Sequence, residues 1–133
     1  MPYQNTVFIN LAITDLQRSL AFYTNLGLVQ NKTFSDENCT MVSLPLTPES
    51  NVHESPIKIM LLNHSFFSSF LPKGIAIADP KNTAQSIICF SRDSREGVDE
   101  MVAKAKEAGG RTDIREKTDM EKMMEQGGMY GAA

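Results

Sequence analysis

The sequence has few of the residues, and none of the short motifs, on which most recognisable active sites depend. Its 133 residues include two histidines, two cysteines and no tryptophan. It has no CxxC pair, no Cys/His cluster, no Gly-rich phosphate loop, no His-Glu-x-x-His and no Gly-x-Ser-x-Gly. These absences exclude the common zinc, dithiol, nucleotide and hydrolase motifs. Cys39 and Cys89 both fall in strand-like runs, so we expect two reduced thiols in the core.

Long apolar runs and clustered positive charge are also absent. The longest apolar runs, such as those at 59–62 and 75–78, are far shorter than the roughly 20 residues of a membrane span. The N-terminus has no charged-then-apolar signal pattern. The formal net charge is -3, and there is no basic stripe with interleaved aromatic residues to neutralise phosphates. We therefore expect a cytoplasmic protein that binds neither membranes nor nucleic acids.

The first half of the sequence contains a regular succession of strand and helix patterns. Runs rich in β-branched and apolar residues predict four strands, the first of them buried, at 6–13, 28–34, 38–44 and 57–64. A helix is predicted over 15–26, because Asp15 suits a helix N-terminus, apolar residues recur at helical spacing and Gly27 provides a stop. The pattern therefore predicts a β-α-β-β-β module.

The second half begins a similar pattern after a connection at 65–83 that contains three Phe, two Pro and one Gly. A strand is predicted at 84–91. Asp93 then opens a helix as Asp15 does, and this helix ends at Gly109-Gly110. The remaining residues leave room for one or two strands where the first half has three, so the second module is incomplete.

This weak internal repeat predicts the fold class more strongly than any single motif does. A chain of this length is expected to form one domain, since domains usually have about 100–200 residues. We expect a single α+β domain over 1–133, with module one at about 4–64 and module two at 84–133. The two β-α-β-β-β modules would form a curved mixed sheet around a cavity, with the helices outside.

These residues resemble a known family in order along nearly the whole chain. The opening VFINLAITDLQRSLAFYTNLGL resembles that of bleomycin-resistance and glyoxalase-like proteins of the vicinal oxygen chelate superfamily. Later segments resemble an uncharacterised glyoxalase-like branch: FSDENCTMVSL, IKIMLLNHSFFSSFLPK, DSREGVDEMVAKAKEAGG and GGMYG. The resemblance does not specify an activity, because this fold hosts lyases, dioxygenases, epimerases, thiol transferases and drug-binding proteins.

The resemblance also implies where a divalent metal ion would be held. Three of the four ligand positions fall at Phe8, at Met60 and at Ile87 or its neighbour Ser86, and the fourth would follow residue 133. A phenyl ring and an isoleucine cannot bind a metal, and a lone thioether is a poor ligand for the ions that this fold uses. We therefore expect no divalent metal and no other cofactor. His64 is the nearest alternative ligand, although a surface histidine at the end of a strand is the favoured interpretation.

The leading hypothesis is a small-molecule-binding protein of the glyoxalase and bleomycin-resistance type, without the usual metal. We expect a largely apolar or aromatic ligand. The residues predicted to line its cavity are Phe8, Asn10, Met60, Leu62, Ile87 and Tyr130. The Tyr130 phenol could equally pack at the start of a strand.

Two alternatives stay open. The first is a metal-dependent enzyme with unconventional ligands such as His64, either a lyase resembling lactoylglutathione lyase or a dioxygenase. The second is a structural or protein-interaction domain, and the sequence does not decide whether the protein is an enzyme. A homodimer is also expected, because an incomplete second module would leave strand edges and apolar surface to be covered.

Overall fold

The computed structural model of the protein describes residues 4–47, 49–79, 81–84, 86–112 and 116–126. The chain divides into two compact units, Met1–Ser86 and Ile87–Ala133. The predicted single domain over 1–133 therefore stays a prediction. Within the described ranges, no helix is long and apolar enough to cross a membrane.

The first unit has the predicted β-α-β-β-β order, followed by a short second helix. Its elements are β1 (Val7–Ile13), α1 (Leu16–Asn25), β2 (Val29–Ser35), β3 (Cys39–Ser43), a 3₁₀ turn (Val52–Glu54), β4 (Ile57–Asn63) and α2 (His64–Ser68). The α+β class is confirmed, and so are the four strands and the helix predicted for this half.

The four strands form one open, curved sheet with the order β1-β4-β3-β2. The sheet is mixed, because β1 pairs with β4 in parallel while β3 pairs antiparallel with both β4 and β2. Met60 is paired with Asn10 on one side and with Met41 on the other. Since side chains alternate along a strand, the register defines a surface that we call the Met60 face. It comprises Phe8, Asn10 and Ala12 of β1, Lys58, Met60 and Leu62 of β4, and Cys39, Met41 and Ser43 of β3.

The core is built around the central strand β4. Ile59 and Leu61 on one face and Leu62 on the other are all buried, as is Val42 of the neighbouring β3. The prediction that β1 is a buried strand is wrong, because Phe8 is 54% exposed and Val7 is also exposed. The physical reason is position: β1 lies at the edge of this sheet and is covered by one neighbouring strand instead of two.

Helix α1 has clear start and stop signals in the sequence. The Asp15 side chain accepts a hydrogen bond from the Arg18 backbone N–H at 3.1 Å, which satisfies one of the free amides at the helix start. After the helix, Gly27 has a φ of 104°, a conformation that side chains disfavour and glycine tolerates. The helix packs on β2, β3 and β4.

The second unit contains two helices, α3 (Arg95–Glu107) and α4 (Asp119–Gln126), among its described residues. Helix α3 is capped by Ser94, whose Oγ accepts from the Gly97 N–H at 3.0 Å, and not by Asp93 as predicted. Gly109 has a φ of 95°, matching Gly27 at the end of α1.

The strand predicted at 84–91 is not formed by the described residues of that segment. An extended run becomes a strand only when a neighbouring backbone exchanges hydrogen bonds with it, and no such pairing occurs within the described part of the chain. Ile87 is 87% exposed and Cys89 is exposed as well, so the prediction that both thiols lie in the core is wrong for Cys89. Cys39 is half-buried.

Candidate functional site

A cavity of about 290 Å³ opens on the Met60 face of the first unit, where β4 ends and α2 begins. Among the described residues, its lining is apolar except for one amide side chain. The lining residues are Asn10 of β1, Leu62 of β4, and Phe67, Phe70 and Leu71 of α2 and the turn that follows it. This composition, with mostly aromatic and aliphatic side chains and a single polar group, is typical of sites for small organic molecules.

Helix α2 is fixed over the sheet by a pair of asparagines. The Asn63 Oδ1 caps the helix by accepting from the Phe66 N–H at 2.8 Å, while the Asn63 Nδ2 donates to the Asn38 Oδ1 at 2.9 Å. The Phe66 ring stacks edge-on against Phe70, with the ring centroids 5.2 Å apart. These contacts place the aromatic residues of α2 beside the end of β4, where the cavity forms.

Asn10 is the polar residue of the cavity lining. Its Nδ2 donates to the backbone carbonyl of Phe8 at 3.3 Å, which leaves the Oδ1 facing no hydrogen-bond donor among the described residues. Because Asn10 is exposed, water satisfies this oxygen in the free protein. A ligand with an N–H or O–H group can therefore donate to the Asn10 Oδ1 when it displaces that water.

A buried lysine lies further along the same face. Lys58 is 6% exposed, and its Nζ donates to the Ser43 Oγ at 2.8 Å and to the His53 backbone carbonyl at 2.9 Å. Burial lowers the pKa of the Lys58 amine from its ordinary value, because removal from water disfavours the charged form. Lys58, Ser43 and His53 form a cluster in which the lysine side chain links β4 to β3 and to the 3₁₀ turn.

The comparisons with known proteins agree on a family of folds. Residues 5–45 match the family model described as bleomycin resistance protein-like N-terminal. A hypothetical protein from S. aureus is 21% identical with a TM-score of 0.63, and the match covers 88% of this chain and 78% of that one. A glyoxalase/bleomycin resistance protein/dioxygenase family enzyme from Burkholderia phytofirmans PsJN is 17% identical with a TM-score of 0.55, covering 87% and 83%. None of the curated proteins compared with the chain matches it. The chain has the fold of the vicinal oxygen chelate superfamily.

The metal positions that the vicinal oxygen chelate resemblance implies do not carry metal-binding groups in the first unit. Phe8 offers a hydrocarbon ring, and Met60 offers a thioether that is a weak ligand for hard or borderline ions. His64 does not end β4 as predicted: it is the exposed first residue of α2. Among the described residues, no three His, Cys, Asp or Glu side chains lie close enough together to hold an ion. These donors do not fit the usual metal, and the absence of a metal stays a prediction.

Of the six residues predicted to line a ligand cavity, Asn10 and Leu62 lie at the 290 Å³ cavity of the first unit, and their role in binding a ligand stays a prediction. Phe8 and Met60 share the Met60 face but are not part of this cavity's lining. Ile87 belongs to the second unit, and Tyr130 is outside the described residues, so their roles stay predictions.

The sequence predicted no more than a short helical turn in the connection at 65–83, where α2 forms, and it did not single out Lys58. The signal for α2 was present in the spacing of Phe66, Phe67 and Phe70 after Asn63, a residue that favours helix starts. The signal for Lys58 was a single charged residue inside the apolar run IKIMLL.

Proposed function

We propose that the first unit binds a small, largely apolar or aromatic molecule in the cavity between β4 and α2, without a divalent metal. The observation that carries this proposal is the described lining of the cavity: four apolar side chains and one amide whose oxygen accepts no hydrogen bond from the described residues. An apolar ligand body would displace water from Phe67, Leu62 and their neighbours, and the Asn10 Oδ1 would orient it through one hydrogen bond.

The test uses 1-pyrenebutanol, a neutral fluorescent molecule with a flat aromatic body and one hydroxyl group. Wild-type protein is expected to bind it, and Phe67→Ala is expected to weaken binding about tenfold through lost aromatic contact. Phe34→Ala is the matched control, since Phe34 is an exposed aromatic residue on β2, the opposite edge of the sheet from β1. No saturable binding to wild type, or equal weakening by both variants, would contradict the proposal.

We also propose that the protein acts in the cytoplasm as a homodimer and binds no nucleic acid. The exposed apolar side chains of edge strand β1, Val7 and Phe8, support a partner there, since soluble proteins usually cover such edges. Light scattering should give about twice the 14.8 kDa chain mass, and Val7→Lys should shift the mass towards the monomer. A monomer mass for wild type at micromolar concentration would refute the dimer.

A further inference from the structure

The charge of Lys58 is not compensated by any carboxylate in the described part of the chain. Its two partners, the Ser43 hydroxyl and the His53 carbonyl, are neutral groups. No described Asp or Glu lies within the 4.0 Å ion-pair distance of the Lys58 Nζ, and Glu54 in the adjacent 3₁₀ turn is exposed. An ammonium has three N–H donors, so one of them is used by neither neutral partner.

A buried charge with neutral partners costs stability that an apolar side chain of similar length would not cost. Strand β4 is otherwise apolar between Ile57 and Leu62, so the sequence around Lys58 follows the pattern of a core strand. Uncompensated charges of this kind are concentrated at sites that use them. An anion delivered by a ligand would supply the missing compensation.

Lys58 and the cavity lie on the same face of the sheet. Leu62, which lines the cavity, is four residues further along β4, so the two Cα atoms are about 13 Å apart at the usual rise per residue. Met60 stands between them on the same face, and Asn10 is its partner on β1. An elongated molecule could therefore place its apolar end in the cavity and its other end at Lys58.

We propose that Lys58 is an anion-binding group, and that the molecule bound on the Met60 face carries one acidic group at the end opposite its apolar body. The inference rests on the proposed function, because it adds a substrate class to the same site. The acidic group would accept from the unused Lys58 N–H and from the Ser43 hydroxyl, or replace the His53 carbonyl as acceptor. Charge-assisted hydrogen bonds of this kind are about twice as strong as neutral ones.

The test compares two probes that share ring and chain length: 1-pyrenebutanoate, which carries a carboxylate, and the neutral 1-pyrenebutanol. Wild-type protein is expected to bind the acid about tenfold more tightly than the alcohol, because only the acid pairs with the ammonium. In Lys58→Met the acid should lose this tenfold advantage over the alcohol. Lys73→Met, which removes an exposed lysine from the same unit, should leave the preference intact.

The outcomes separate the two proposals. If the alcohol does not bind wild type, the proposed function fails. If the alcohol binds and the acid has no advantage, or keeps it in Lys58→Met, only the anion site is overturned.

A measurement on the wild-type protein tests the proposal even if Lys58→Met does not fold. In protein with ¹³Cε-labelled lysine, the acid should raise the pKa of the Lys58 amine by about one, since binding that favours the charged form tenfold shifts its titration by that amount. The alcohol should leave that pKa unchanged, and Lys58→Arg serves to assign the signal. An unchanged pKa with saturating acid would overturn the proposal.

Discussion

Each unit contains a helix with the same kind of start and stop signal, α1 in the first unit and α3 in the second. The units differ in the elements that surround these helices. Both α1 and α3 start at a polar cap, Asp15 or Ser94, and both are followed by a glycine with positive φ, Gly27 or Gly109. In the first unit α1 packs on a sheet, whereas the described part of the second unit contains helices and no strand. The comparison shows that a helix is specified by its own residues, while a strand also requires a neighbour in space.

The largest expected effect is a difference in unfolding free energy between two alanine variants, one in β4 and one in the segment predicted as a strand at 84–91. Leu61 in β4 is fully buried, so Leu61→Ala should lower the free energy of unfolding by about 2–5 kcal/mol through lost burial and the cavity left behind. Ile87, in the segment predicted as a strand, is exposed, and Ile87→Ala should change stability by less than about 0.5 kcal/mol. Urea denaturation of both variants measures the difference.

The same experiment contains its own control, because both variants remove an aliphatic side chain to the same Cβ. A loss at Ile87 comparable to that at Leu61 would mean that the segment 84–91 is covered by structure in solution. The contrast drawn between the two units would then be wrong.

A smaller effect is expected at the helix starts, where the two units should behave alike. Asp15→Ala and Ser94→Ala each remove an acceptor for a helix N–H, which costs about 1 kcal/mol. Amide exchange should become faster at Arg18 in the first variant and at Gly97 in the second. Asp15→Asn and Ser94→Thr, which keep a capping oxygen, should stay close to wild type. A loss at one cap without a matching loss at the other would show that the helices are not specified in the same local way.

Local features of the fold could be predicted from the sequence, and the features that depend on distant residues could not. The strand predicted at 6–13 is observed at Val7–Ile13, and the helix predicted over 15–26 at Leu16–Asn25, because cap, periodicity and stop all lie within a few residues. Exposure of β1 could not be predicted, since it depends on the strand order of the sheet.

The candidate site shows the same limit. The shared sheet face of Asn10 and Leu62 could be predicted from strand alternation. The contribution of Phe67 and Phe70 depends on the helix that follows β4. The cluster around Lys58 could not be predicted either, because Ser43 and His53 reach it from separate segments of the chain.

The smallest expected effect is a pH dependence of the free energy of unfolding that is due to Lys58. Its pKa is lowered by burial from 10.5, so between the lowered value and 10.5 the unfolded chain binds more protons than the folded one. The free energy of unfolding contributed by this group therefore rises with pH across that window. Urea denaturation of wild type and Lys58→Met from neutral pH to about pH 10 isolates the slope, because other titrating groups are common to both proteins.

Lys73→Met is the control for a general loss of positive charge, and it should keep the wild-type slope. Identical pH profiles for wild type and Lys58→Met would indicate that the amine is hydrated in solution. Water would then compensate the Lys58 charge, and no anion would be needed to do so.

We expect ligands to bind in the cavity of the first unit and not on exposed apolar surface elsewhere. The most direct measurement is an NMR titration with 1-pyrenebutanol of protein labelled at the leucine and methionine methyl groups. Leu62 and Leu71 line the cavity, whereas Met120 and Met123 are exposed on α4 of the second unit. Saturable shifts are expected at Leu62 and Leu71, with the Met120 and Met123 signals unchanged. Shifts confined to the two methionines, with the leucines unmoved at saturation, would contradict this expectation.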